Sequence, residues 1–119
     1  MYDINKIKMI ISDVDGVWTD GSIYKGKDNL ELKKFSVSDG AAVALIRQAG
    51  MKLALISGRY SSATEERAAE LKIEDVYNGT INKIPPYETL KERYDLSDDE
   101  IAYVGDDIID ILFKHSNKV

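Results

Sequence analysis

The sequence predicts an α/β domain built on a parallel sheet, and three observations carry that prediction. Strand-length apolar runs at residues 7–12, 51–56, 75–77 and 101–104 alternate with helix-type patterns, the signature of βα units wound with right-handed crossovers. Three of these runs deliver polar residues and a glycine at their ends: Asp13-Val14-Asp15-Gly16, Ser57-Gly58 and Gly105-Asp106-Asp107. Buried parallel strands present functional groups at the C-terminal edge of a sheet in this way. Finally, the 119 residues contain no repeat, linker or low-complexity stretch, so residues 1–119 form a single domain.

Each element has a local reason. Residues 7–12 are short and β-branched enough for a central strand. Residues 22–25 and 30–35 read as two short strands around the turn-rich Gly26-Lys27-Asp28-Asn29, a hairpin projecting beside the aspartates. Asp39 is the expected N-cap of a helix with Ala42, Leu45, Ile46 and Ala49 as its buried stripe and Gly50 as its stop. Residues 51–56 form the second strand. Ser62-Ala63-Thr64-Glu65 has the capping-box pattern for a helix running to about residue 72, with Ala68, Ala69 and Leu71 inward. After the third strand, Asn78-Gly79 makes a turn. Pro85 and Pro86 fit the first turn of a helix running to Tyr94, where a missing N–H costs little. Ser97-Asp98-Asp99-Glu100 also has a capping pattern, but the residues after it read as the fourth strand; residues 108–114 suit one or two closing helical turns.

Composition narrows the function. Residues are 44% hydrophobic and 31% charged with a net charge of −5, and no basic tract offers a nucleic-acid surface. The absence of cysteine excludes disulfides and thiolate metal sites and fits a reducing compartment. No apolar run is long enough for a membrane span, and residues 1–6 lack the core of a signal peptide, so a cytoplasmic location is expected.

The strand ends converge on one crevice: Asp13 and Asp15, Ser57, Lys83 beyond the third strand, and Asp106 with Asp107 and Asp110. Five carboxylates in one crevice repel strongly, so a bound cation is close to a requirement. With only oxygen ligands on offer, Mg²⁺ is the natural occupant. A hydroxyl and an ammonium beside a metal-bound carboxylate form a pocket for a phosphoryl group.

Asp13-Val14-Asp15-Gly16-Val17, Ser57-Gly58, Lys83 and Gly105-Asp106-Asp107-Ile108-Ile109-Asp110 resemble, in order, the four motifs of the haloacid dehalogenase (HAD) superfamily of phosphotransferases. The similarity is closest to its 3-deoxy-D-manno-octulosonate 8-phosphate phosphatases and related sugar-acid phosphatases, through Thr19-Asp20-Gly21, Ser38-Asp39-Gly40, Ile56-Ser57-Gly58-Arg59 and Tyr103-Val104-Gly105-Asp106-Asp107. The resemblance implies a HAD-like, Rossmann-like sheet and a phosphatase acting through an aspartyl-phosphate. Asp13 is then the nucleophile and a Mg²⁺ ligand. Asp15 is the general acid and base, and a metal ligand through its main-chain carbonyl. Ser57, Gly58 and Lys83 bind the phosphoryl group, Asp106 ligates the metal, and Asp107 and Asp110 support metal waters and Lys83. The gaps between motifs leave no room for the cap domain of other members. In the family such capless subunits form homotetramers through the hairpin, an expectation carried here by residues 22–35.

The sequence departs from the family pattern in three places. Trp18 stands where a smaller apolar residue is frequent, and Ser38 where a basic residue is common. The C-terminal strand, helix and tail usual after the fourth motif are absent, which predicts an uncovered edge at the fourth strand. Arg59 has two readings, a partner for a substrate carboxylate or a solvated charge. Trp18 and the tyrosines read as packing residues, and His115 as inert. Two other functions compete. One is a non-catalytic assembly module resembling the C-terminal domain of some acylneuraminate cytidylyltransferases, against which the crowded acids argue. The other is a response-regulator receiver, which needs an aspartate where Asn78-Gly79-Thr80 stands.

Overall fold

The computed structural model describes residues 4–105. Its core is a four-stranded sheet of β1 (Met9–Ser12), β4 (Lys52–Ser57), β5 (Asp75–Asn78) and β6 (Ile101–Val104) in the order β5-β4-β1-β6, every pair parallel. Between β1 and β4 come a hairpin, β2 (Tyr24–Lys25) with β3 (Glu31–Leu32), and helix α1 (Asp39–Gln48). Helix α2 (Ser62–Glu70) links β4 to β5, and α3 (Ile84–Tyr94) links β5 to β6. The predicted α/β class and the hairpin are both present. Among the described residues β6 is a sheet edge, as the sequence implied.

Strand pleating divides the core in two. Met9, Ile11, Ala54, Ile56 and Tyr103 point to one face, where they pack on Tyr87 and Leu90 of α3. Leu53 and Leu55 point to the other, where they meet Val14, Val43 of α1 and Ala68 of α2. β1 therefore has apolar neighbours on both faces, which explains its nearly unbroken apolar sequence.

Helices α1 and α2 correct four expectations. In α1 the inward residue is Val43, 2% exposed, whereas Leu45 is 65% exposed and Ala42 and Ala49 also face out, with Ile46 half-buried. Residues 41–46 are apolar without interruption, so the pattern announced a helix but could not set its rotation. Ser38, not Asp39, is the N-cap, and it makes no side-chain cap because its hydroxyl pairs with that of Ser36 at 2.7 Å. Asp39 instead enters the first turn, where its charge favours the helix dipole. In α2 the N-cap is Ser61 and the expected capping box does not form; Glu65 accepts the Tyr60 hydroxyl at 2.8 Å instead, and Ala69 is exposed.

Other punctuation holds. Gly50, at φ +76°, closes α1 with Gly50 N–H donating to Arg47 O and Met51 N–H to Ile46 O, the paired bonds of a Schellman ending. Both prolines lie in the first turn of α3. Ser97 and Glu100 do form a capping box, around the single turn Asp98–Glu100, and β6 starts directly after it.

Candidate active site

The site lies where β1 and β4 end. Ser12 is level with Leu55 on one side and Val104 on the other, so Asp13 and Ser57 leave the sheet at the same edge. The Asp13 N–H donates to Val104 O at 2.8 Å, extending the ladder one residue past the strand. Its carboxylate turns back to accept the Val14 N–H at 2.8 Å and is only 6% exposed.

A buried carboxylate needs a counter-charge, and Lys83 provides one. This residue is the N-cap of α3, is 4% exposed, and holds its Nζ 3.6 Å from Asp13 Oδ1. The same ammonium donates to the Tyr103 hydroxyl at 2.9 Å. Lys83 is thus held between Asp13, 70 residues away in sequence, and Tyr103 of β6. Tyr103 was visible in the motif, but nothing in the sequence gave it this contact.

Asp15 sits two residues beyond Asp13, in a loop closed by the turn at Gly16, φ +81°. Thr19 braces that loop, its Oγ1 accepting the Gly21 N–H at 3.0 Å. Phe35 bridges Thr19 and fixes the hairpin base to the loop. From this hairpin Lys33 reaches in and pairs with Asp15 Oδ1 at 2.7 Å. Sequence reasoning missed Lys33: strand alternation after Glu31 was the only signal, and the hairpin's register on the loop decides whether Lys33 or Lys34 points in.

Trp18 packs into the α1/α2 core, as expected, and does more. Its Nε1–H donates to Ser12 Oγ at 2.8 Å, and Ser12 donates to Asp13 O at 2.7 Å. An indole therefore tethers the loop to Ser12, the last residue of β1, next to Asp13.

Ser57 is 2% exposed and donates to Arg59 O at 3.0 Å. Its own carbonyl accepts the N–H groups of Gly79 and Thr80 at 2.9 and 2.7 Å. Gly79 has φ +94°, and a Cβ there would lie 2.9 Å from Tyr60 Cβ, so this turn requires glycine. The Asn78 amide clamps Ser61, accepting its N–H at 3.1 Å and donating to its carbonyl at 2.7 Å. A Cβ at Gly58 would meet nothing closer than Ile81 Cα at 3.9 Å, so crowding does not require glycine there. Arg59 pairs with Glu31 of β3 at 2.6 Å.

Asp106, Asp107 and Asp110 lie outside the described residues. Among the described residues no group of three or more His, Cys, Asp or Glu assembles a metal site. What the described edge offers is hard oxygen only, the Asp13 carboxylate and the Asp15 carbonyl, and that chemistry fits Mg²⁺ with Asp106 as the further ligand expected from the sequence.

No protein-family model matches the chain. Over 110 residues, 92% of this chain, it is 39% identical to the 3-deoxy-D-manno-octulosonate 8-phosphate phosphatase KdsC of Escherichia coli BL21-DE3. The crystal structure of the corresponding phosphatase from Yersinia pestis superposes with a TM-score of 0.84 at 38% identity, covering 88% of this chain and 57% of that one. The chain belongs to the haloacid dehalogenase superfamily. Another superfamily member, the phosphatase from Moraxella catarrhalis in complex with a magnesium ion, a phosphate ion and KDO, matches with a TM-score of 0.85 at 34% identity, over 91% of this chain and 62% of that one. This chain spans about 58% of the length of the E. coli relative. Among the described residues no helix is long and apolar enough to cross a membrane.

Proposed function

We propose that the protein is a Mg²⁺-dependent phosphoric monoester hydrolase acting on a phosphorylated sugar acid, 3-deoxy-D-manno-octulosonate 8-phosphate or a nonulosonate 9-phosphate. The observation that carries this reading is the buried Asp13 at the end of β1 with the Lys83 ammonium 3.6 Å away and a second aspartate two residues on. The ligands of the Moraxella relative, magnesium, phosphate and KDO, support the ion and the substrate class.

In this reading Asp13 Oδ attacks phosphorus in line with the ester oxygen, forming an aspartyl-phosphate. Asp15 gives its proton to the departing alkoxide, then takes one from the water that hydrolyses the intermediate. Ser57 turns its hydroxyl from Arg59 O to the phosphoryl oxygens, the Gly58 N–H adds a donor, and Lys83 balances the charge shared by Asp13 and the phosphoryl group. Asp13, the Asp15 carbonyl and Asp106 would hold Mg²⁺, with Asp107 and Asp110 behind them, and the ion supplies charge neutralisation at phosphorus.

The proposal extends to a homotetramer assembled through residues 22–35, in the cytoplasm. The outer hairpin surface supports assembly: Tyr24, Leu30 and Leu32 are each more than half exposed. Phosphate release from a panel of 8- and 9-phosphorylated sugar acids, with and without Mg²⁺, tests the function. Turnover that needs Mg²⁺ and disappears in Asp13→Asn is expected; a folded protein releasing no phosphate from any of them overturns it.

A further inference from the structure

Each of the two catalytic carboxylates has its own lysine, and the two lysines come from different elements. Lys83 serves Asp13 from α3, while Lys33 serves Asp15 from the hairpin. The second pair is asymmetric. The Lys33 side chain is fully buried, whereas that of Asp15 is 31% exposed. A buried ammonium costs several kcal/mol unless it is paired. Anchoring the hairpin alone would be served more cheaply by an apolar side chain. Lys33 also shares its strand face with Glu31, two residues earlier, which holds Arg59 at 2.6 Å. The inward face of the hairpin thus grips both the Asp13–Gly21 loop and the loop after Ser57.

We propose that Lys33 is the positioning residue for the proton-transferring carboxylate of Asp15, so that the hairpin completes the acid–base machinery. This rests on the phosphatase reading above. The ammonium clamps Asp15 Oδ1 and fixes the side-chain rotamer. The other oxygen is then presented toward the ester oxygen that leaves Asp13-bound phosphorus. The proton passes from Asp15 to that oxygen as the P–O bond breaks, and returns from water in the second step. Lys33 donates a hydrogen bond throughout and exchanges no proton.

The test compares two esters, because only one of them needs an acid. An alkyl ester such as the sugar-acid phosphate leaves as a strongly basic alkoxide, whereas p-nitrophenyl phosphate leaves as a stable phenolate. Lys33→Gln is expected to lower kcat/KM for the alkyl ester by about 30-fold, a part of the roughly 100- to 10,000-fold that general acid catalysis contributes, and for the aryl ester by less than about threefold. With the aryl ester the variant should also show a burst of nitrophenolate, since hydrolysis of the aspartyl-phosphate still needs Asp15 as base. Lys33→Arg should restore most of the alkyl activity. In an Asp15→Asn background Lys33→Gln should add nothing. Equal losses on the two esters, or none, overturn the proposal. If Lys33→Gln does not fold, Lys33→Met, which keeps the buried stem without the donor, carries the comparison, and an unchanged alkyl-to-aryl ratio relative to wild type then overturns it. Wild-type protein that hydrolyses neither ester overturns the phosphatase reading and this one with it; wild-type turnover with matched losses overturns only the role of Lys33.

Discussion

Lys83 Nζ stands 3.6 Å from Asp13 Oδ1 with both residues less than a tenth exposed, so the aspartate that follows β1 is one half of a buried ion pair. Removing either charge takes from the other, also buried, its nearby counter-charge. Lys83→Met and Asp13→Asn are therefore each expected to lower stability by about 3–5 kcal/mol, and the double variant by less than the sum of the two. Urea unfolding of the three variants checks this coupling, and additive losses would contradict it.

Trp18 is expected to act through its N–H as well as its bulk. Trp18→Phe keeps the ring in the core but removes the donor to Ser12 Oγ, at a cost of about 1 kcal/mol. Turnover should fall several-fold through loosening of the Asp13 backbone, whose carbonyl Ser12 holds. Comparing unfolding midpoints and kcat for Trp18→Phe and Ser12→Ala tests whether the two lie on one path, since the double variant should then cost no more than the worse single one.

Helix α1 offers a stability contrast that the sequence alone predicts backwards. Val43→Ala should cost about 2 kcal/mol because the side chain is buried against Val14 and Leu55. Leu45→Ala should stay within about 0.5 kcal/mol, its side chain being 65% exposed. Denaturant midpoints measured in dilute protein decide between this order and its reverse.

The difference between Val43 and Leu45 shows where the sequence stops being informative. Elements with a sharp boundary or a single allowed phase were legible: β1 with its terminal aspartates, the Gly50 ending of α1, the proline-led start of α3, the Asn78-Gly79 turn. Where several phases satisfy the same pattern, as in the unbroken apolar run of α1, only packing chooses. The site divides in the same way. Asp13, Asp15, Ser57 and Lys83 could be placed from strand ends and motif order, and Lys83 does reach Asp13. Lys33, Tyr103 and the Trp18–Ser12 tether were not legible, because each depends on which face a short strand or loop turns inward. Arg59, left open by the sequence, is taken by Glu31, a long-range pairing that no local pattern announces.

Acid should weaken the β6 entrance before other parts of the fold. The hydrogen bond from Lys8, reinforced by the Ser97 N–H, pulls the Glu100 carboxyl from its usual 4.5 down to about 2. Hydrogen bonds from Lys91 and then Tyr87 lower Asp98 as well. Both groups stay ionised in the native state at pH values where the unfolded chain has taken up protons. Stability from these contacts is therefore complete above about pH 4.5 and falls as pH drops toward 2. Glu100→Gln should flatten the pH dependence of the unfolding midpoint below that point while leaving its shape at neutral pH unchanged. An equally steep acid limb in the variant would contradict this assignment.

The most direct measurement is to quench the reaction with acid during turnover of a sugar-acid phosphate and Mg²⁺, then locate the phosphoryl group by peptide mass mapping. The account predicts phosphate on the peptide bearing Asp13 in wild-type protein, and none in Asp13→Asn. Phosphate release proceeding without any label on Asp13, or persisting in Asp13→Asn, would contradict it.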